Sequence, residues 1–122
     1  MDNITTRTAE NAAVTEEQKV KEKYAGEKLY TISMILHPDD DTDYLVKYFC
    51  KRPGNPSYNR YVKTASKDML GALKAFVFDA VVEESKAQLE RDLEEYPALA
   101  LGVGEKLLNM MGLSDLTNLK KL

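Results

Sequence analysis

His37 and Cys50 are the one histidine and the one cysteine of this chain, so a Ser-His-Asp or Cys-His pairing could be built only around His37. His37 precedes Pro38 in a turn-forming run, while Cys50 lies in an alternating apolar segment. The expectation is therefore a buried thiol, with no catalytic residue. Asp39, Asp40, Asp41 and Asp43 offer hard oxygen ligands of the kind calcium and magnesium prefer. They lack the glycine and distal glutamate of the helix-loop-helix calcium pattern, so a solvated turn and no metal are expected. Gly102-Val103-Gly104 has no Gly-Lys-Ser after it and lies in an apolar helical stretch, which excludes a phosphate loop and points to helix flexibility or close packing. The carboxylates between Glu83 and Glu95 read as a solvated helical face, since nothing in the sequence puts two of them in an apolar pocket. No cofactor is implied.

What remains is chemistry of binding. Tyr48, Tyr58 and Tyr61 beside Arg60 and Lys63 have the types needed to stack on single-stranded nucleic acid. The same residues also suit a strand and a helix whose basic side chains cover apolar surface. Leu99, Leu101, Val103, Leu107, Leu108, Met110, Met111 and Leu113 form the most apolar part of the chain, with more apolar positions than one helix face needs. Methionines adapt to irregular partners, so this stretch either completes the core or holds an amphipathic segment of another protein. The candidate partner-binding residues are Leu99, Val103, Leu107, Met110, Met111 and Leu113, together with Tyr58, Arg60 and Tyr61.

At 122 residues the chain is long enough for one ordinary core. Its 43% hydrophobic and 30% charged content is that of a globular domain. A net charge of −3 does not supply the basic field of a general nucleic-acid binder. Charge is nevertheless uneven: Lys47, Lys51, Arg52, Arg60 and Lys63 fall within 45–66 with no acidic residue among them. The lone cysteine excludes an internal disulfide. With no signal-peptide pattern and no span-length apolar run, a cytoplasmic protein without a membrane segment is expected.

These residues must be positioned by a mixed set of elements. Residues 1–14 are polar and aperiodic and are expected to be a disordered tail, leaving 15–122 as one domain. Thr15 followed by Glu16 and Glu17 looks like a capped helix start, with Gly26 as its stop. Only Val20 and Tyr24 give that helix apolar content, so loose packing is expected. From 28 to 36 the period becomes two, with Tyr30, Ile32, Met34 and Leu36 on one face. A turn at 37–43 leads to a second strand, 44–51, placing Tyr44, Val46, Tyr48 and Cys50 together, which makes an antiparallel hairpin. Beyond the Pro53–Pro56 break the pattern is helical. Ser57 is read as the cap of a short helix, Ser66 or Thr64 as the start of the main one, and Ser85 as the cap of a third ending at Pro97; 98–111 forms a fourth, closed by Gly112. The expected fold class is α+β: a hairpin packed against three to four C-terminal helices.

Within this layout residues 44–113 resemble the tail assembly chaperones of bacteriophages and prophages. The resemblance lies in an order of segments: Tyr48-Phe49-Cys50-Lys51-Arg52-Pro53, then Tyr58, Arg60 and Tyr61, then the helix opening at Lys67-Asp68-Met69-Leu70. Val81-Val82-Glu83-Glu84, Leu93-Glu94-Glu95-Tyr96-Pro97 and Gly112-Leu113-Ser114 follow. It implies a non-enzymatic protein of the bacterial host cytoplasm that binds tape-measure or tail-tube proteins and keeps them soluble, with no cofactor. The alternative from the residues alone is a small nucleic-acid-binding regulator using the basic-aromatic segment 44–63. Self-association is left open.

Overall fold

The computed structural model describes residues 16–114 and 118–122. The expectations placed on Thr15 and on the tail 1–14 lie outside the described residues. The fold is α+β. Helix α1 (16–23) precedes strands β1 (Tyr30–Asp39) and β2 (Thr42–Cys50), and helices α2 (Asn55–Ala65), α3 (Met69–Ala80), α4 (Glu83–Glu95) and α5 (Leu99–Met110) complete the chain.

The hairpin forms because period-two apolar residues on both strands need one shared cover. Ile32 opposes Tyr48 and Met34 opposes Val46 in the antiparallel register, and this face turns toward the helices. Val46, Tyr48 and Cys50 lose all solvent contact there, packed with Phe76, Val77, Leu89, Val103 and Leu107. The hairpin is longer than its sequence suggests. Pro38 and the aspartates do not end the strands, which continue to Asp39 and Thr42 and leave Asp40-Asp41 as the turn. A bulge absorbs the proline: His37 and Pro38 together face Asp43, shifting the register between Leu36 and Asp39.

A short third run completes β2. Past α3 the chain extends at Val81-Val82, where Val82 N donates to Phe49 O at 3.0 Å, Lys51 N donates to Ala80 O at 2.9 Å, and Val81 bridges Cys50. Two strands alone are marginal in water. Here α3, α4 and α5 cover one face and this rung caps one edge.

Helix starts differ from their sequence reading for local reasons. α2 begins after Gly54, with Pro56 in its first turn. Ser57 is inside the helix and donates to Asp79 Oδ2 at 2.8 Å. Asp68 caps α3, accepting from Gly71 N at 3.0 Å, while Ser66 is the C-cap of α2. Ser85 caps nothing: α4 starts at Glu83, and Ser85 Oγ, buried, accepts the Phe49 backbone N–H at 3.0 Å. A hydroxyl before an apolar run does mark a helix start, but it serves equally to satisfy a buried strand donor from within a helix.

α1 is docked rather than loose. Val20, only 3% exposed, packs on Phe49 and Val82, with Tyr24 and Leu29 alongside. Glu84 holds it from α4 by an ion pair to Lys23 and a 3.0 Å hydrogen bond from Tyr24 Oη. Gly26 ends it in left-handed backbone, φ +88°.

Candidate protein-binding surface

α5 separates its apolar residues by helical position. Leu99, Val103 and Leu107 recur every four residues and are all buried, at 2%, 0% and 0% exposure. They are core, which corrects the expectation that they offer a partner surface. Met110 and Met111 are half-buried against that core. Gly112, at φ +112°, turns the chain so that Leu113 N donates to Leu108 O at 3.0 Å, leaving the Leu113 side chain about half exposed.

α2 packs chiefly on α3, and its Tyr58 and Tyr61 share a groove with the C-terminal end of α5. The Tyr61 ring is fixed by Phe76, with centroids 5.5 Å apart, and Ser57 and Arg60 both reach Asp79 on α3. Tyr58, Tyr61, Leu108, Met111, Gly112 and Leu113 therefore wall an open groove of about 420 Å³. Tyr58, Tyr61, Met111 and Leu113 meet as the sequence selected them. Arg60 does not join the groove, since its Nη1 pairs with Asp79 at 3.2 Å. Leu108, a member of the apolar run that was not singled out, is the added wall. Arg52 approaches the same end, donating from Nε to the Met110 carbonyl at 3.4 Å.

The basic-aromatic segment does not form one face. Tyr48 is fully buried, Lys47 pairs with Glu17 and Lys51 with Glu27, and Arg60 faces Asp79. Tyr58 and Lys63 remain exposed.

His37 and Cys50 are not brought together. His37 lies at the bulge, hydrogen-bonded to Asp43 Oδ1 at 2.8 Å, whereas Cys50 opposes Tyr30 at the far end of the hairpin. Leu36 lies six positions along the strand from Tyr30, roughly 20 Å of extended chain. Burial pushes the Cys50 thiol up to about 11, away from the thiolate a nucleophile needs. Asp39 serves the turn, accepting from Asp41 N at 2.9 Å and Thr42 Oγ1 at 3.1 Å. The Thr42 hydrogen bond, then that from Asp41, holds its carboxyl below the usual range. Among the described residues no cluster of histidine, cysteine and carboxylates is arranged to hold a metal.

One carboxylate of the acidic helix departs from the solvated face expected for it. Asp92 is 7% exposed and accepts from Tyr48 Oη at 2.6 Å and from Tyr44 Oη at 3.3 Å. Burial, then this hydrogen bond, raises the Tyr48 phenol far above its usual value. The spacing of the acidic residues carries no sign of this, because the two donors lie more than forty positions earlier.

A second recess, of about 470 Å³, joins the hairpin tip to the α4–α5 corner through Met34, Leu36, Pro38, Tyr96, Pro97 and Leu99. No described helix is long and apolar enough to cross a membrane.

Comparison with known proteins gives a family and a fold. The profile of the family described as a domain of unknown function, DUF6848, matches residues 20–120. The solved structure of an uncharacterised protein, RBSTP2171, from Bacillus stearothermophilus is similar at a TM-score of 0.68 and 24% identity, covering 85% of this chain and 99% of that one. At that identity the likeness extends to the fold. No curated protein matches the chain.

Proposed function

The chain belongs to the DUF6848 family, a domain of unknown function, and from the groove this domain carries we propose that it is a non-catalytic protein-binding module. The observation that supports this is the meeting of Tyr58, Tyr61, Leu108, Met111 and Leu113 around one open apolar groove. Tyrosine and methionine are the side chains binding surfaces favour: tyrosine gives large contact area at small entropy cost, and methionine adapts to irregular shapes. The occupant that fits is an apolar stripe of a helical segment from another protein, laid between α2 and the end of α5. Together with the resemblance over 44–113, this makes a phage tail assembly chaperone that receives tape-measure or tail-tube protein the specific form of the proposal. Its acidic α4, on the far side of the hairpin contact, would help keep such a complex in solution.

The test is capture by the tagged protein from a prophage-induced bacterial host, with mass spectrometry of what co-elutes. Recovery of a tape-measure or tail-tube protein by the wild type, lost in Leu113→Asp and Tyr58→Ala but kept in Leu101→Asp, is the expected pattern. Leu101 is equally exposed, at 49%, and lies outside the groove, so it controls for general loss of apolar surface. Capture that survives both groove variants would overturn the groove. Recovery of nucleic acid without any tail component would overturn the chaperone assignment.

A further inference from the structure

The two edges of the hairpin are treated differently. The backbone groups of Phe49 point outward from β2, since its N–H goes to Ser85 Oγ and its carbonyl receives Val82 N. Along an antiparallel strand this direction alternates. Tyr44, Val46, Tyr48 and Cys50 therefore bond inward, to Leu36, Met34, Ile32 and Tyr30. By the same alternation Thr31, Ser33 and Ile35 of β1 aim their N–H and C=O groups away from β2, at the opposite edge. Among the described residues no backbone or side-chain hydrogen bond reaches these three residues from outside the hairpin, and all three are exposed, with α1 approaching only Thr31.

Natural edge strands are usually guarded by charge, proline or a bulge. β1 has its bulge and proline only at the far end, and Tyr30 through Leu36 contains no charged residue. We propose that this edge pairs with the same edge of a second copy, antiparallel about Ser33, to make a continuous four-stranded sheet. Self-pairing is favoured over a foreign strand by the pattern itself. In the two-fold register Ser33 meets the partner subunit's Ser33, and Thr31 meets the partner subunit's Ile35. All three outward residues then form hydrogen-bonded pairs and all six free groups are satisfied. The paired stretches Tyr30–Leu36 carry no charged residue, and a neutral strand edge has no means of selecting a partner by charge. Ile35, 60% exposed in the single chain, arrives beside the partner's Thr31, at the small recess that Thr31 shares with Val20, Leu29 and Phe49 and with Glu17 and Lys21 of α1. This surface is separate from the α2–α5 groove and does not depend on its use.

The test is sedimentation equilibrium of the full chain, with amide exchange read residue by residue. The wild type should sediment at twice its 13.8 kDa mass, with Thr31, Ser33 and Ile35 amides protected. Ser33→Pro removes only an N–H that faces away from β2, so the hairpin ladder stays intact. It should sediment as a monomer with an unchanged circular dichroism spectrum and unprotected Thr31 and Ile35. Ser33→Lys and Ser33→Glu place like charges opposite one another across the two-fold. Each alone should be monomeric, and an equimolar mixture should return to the dimer mass. A monomeric wild type overturns the proposal, including one with protected edge amides, which would point to the chain's own residues 1–15 as the cover. A dimer that survives Ser33→Pro, or charge variants that fail to recombine, would place the interface elsewhere.

Discussion

Asp92 shows how much one buried carboxylate can organise. It sits on α4 and holds two tyrosines of β2 by their hydroxyls, so it fixes the crossing of helix and hairpin as well as satisfying its own oxygens. Removing the shorter bond by Tyr48→Phe should destabilise the fold by about 1.5–3 kcal/mol at neutral pH, the range for hydrogen bonds to charged groups. The pH dependence has a definite sign. Tyr48 is raised by burial and by Asp92, and Tyr44 is raised first by the Asp92 charge. Both phenols thus stay protonated in the folded chain after the unfolded chain has begun to lose those protons. The unfolded state then binds fewer protons, and stability must fall as pH climbs past about 10. Urea unfolding across that range should show the gap between wild type and Tyr48→Phe narrowing with pH. Parallel curves would mean that the phenol is not held as described.

Between elements, the two glycines of α5 make a contrast that sequence alone cannot. A Cβ on Gly104 would lie 2.5 Å from Leu73 Cδ1 and 2.9 Å from its Cγ, and Leu73 is buried on α3 with little room to turn. A Cβ on Gly102 would meet chiefly the terminal methyl of Met34, at 2.4 Å, and Met34 is half-buried on β1 with three torsions to adjust. Gly104→Ala should therefore lose stability, by about 1–3 kcal/mol from overpacking. Gly102→Ala should be neutral or gain up to about 1 kcal/mol from helix propensity. Thermal melts of the two variants decide the matter: equal losses would show that α5 approaches β1 as rigidly as it approaches α3. The sequence left helix flexibility and close packing open for this pair, and the approach of Leu73 to Gly104 decides for packing there. The sequence could not rank them, since the neighbours come from β1 and α3.

For the whole molecule, the groove and the β1 edge are built from different elements: α2 with the end of α5, and the hairpin. Substitutions at sites that share no partner act independently. Ser33→Pro should therefore leave partner capture through the groove intact while abolishing the dimer, and Leu113→Asp should do the reverse. Joint loss of both properties in either variant, with the fold retained, would show that the two surfaces are coupled.

Much of the architecture was legible because it follows from local rules. Period-two residues at Tyr30, Ile32, Met34 and Leu36 gave the strand and the division of its two faces. Gly26 and Gly112 gave two helix ends, and the Pro53–Pro56 break gave the passage from sheet to helices. Where reading failed, the deciding partner was distant in sequence. Ser85 looked like a cap until Phe49 needed an acceptor, Val20 looked too sparse until Phe49 and Val82 met it, and Asp92 looked solvated until Tyr48 reached it. The same division holds for the candidate surface. The sequence determined that the α5 stretch is apolar beyond one face and that tyrosines open α2. Only the tertiary structure decided that Leu99, Val103 and Leu107 turn inward while Tyr58, Tyr61, Met111 and Leu113 converge. Periodicity assigns a residue to a face of its own element; which face is covered depends on the elements that pack against it.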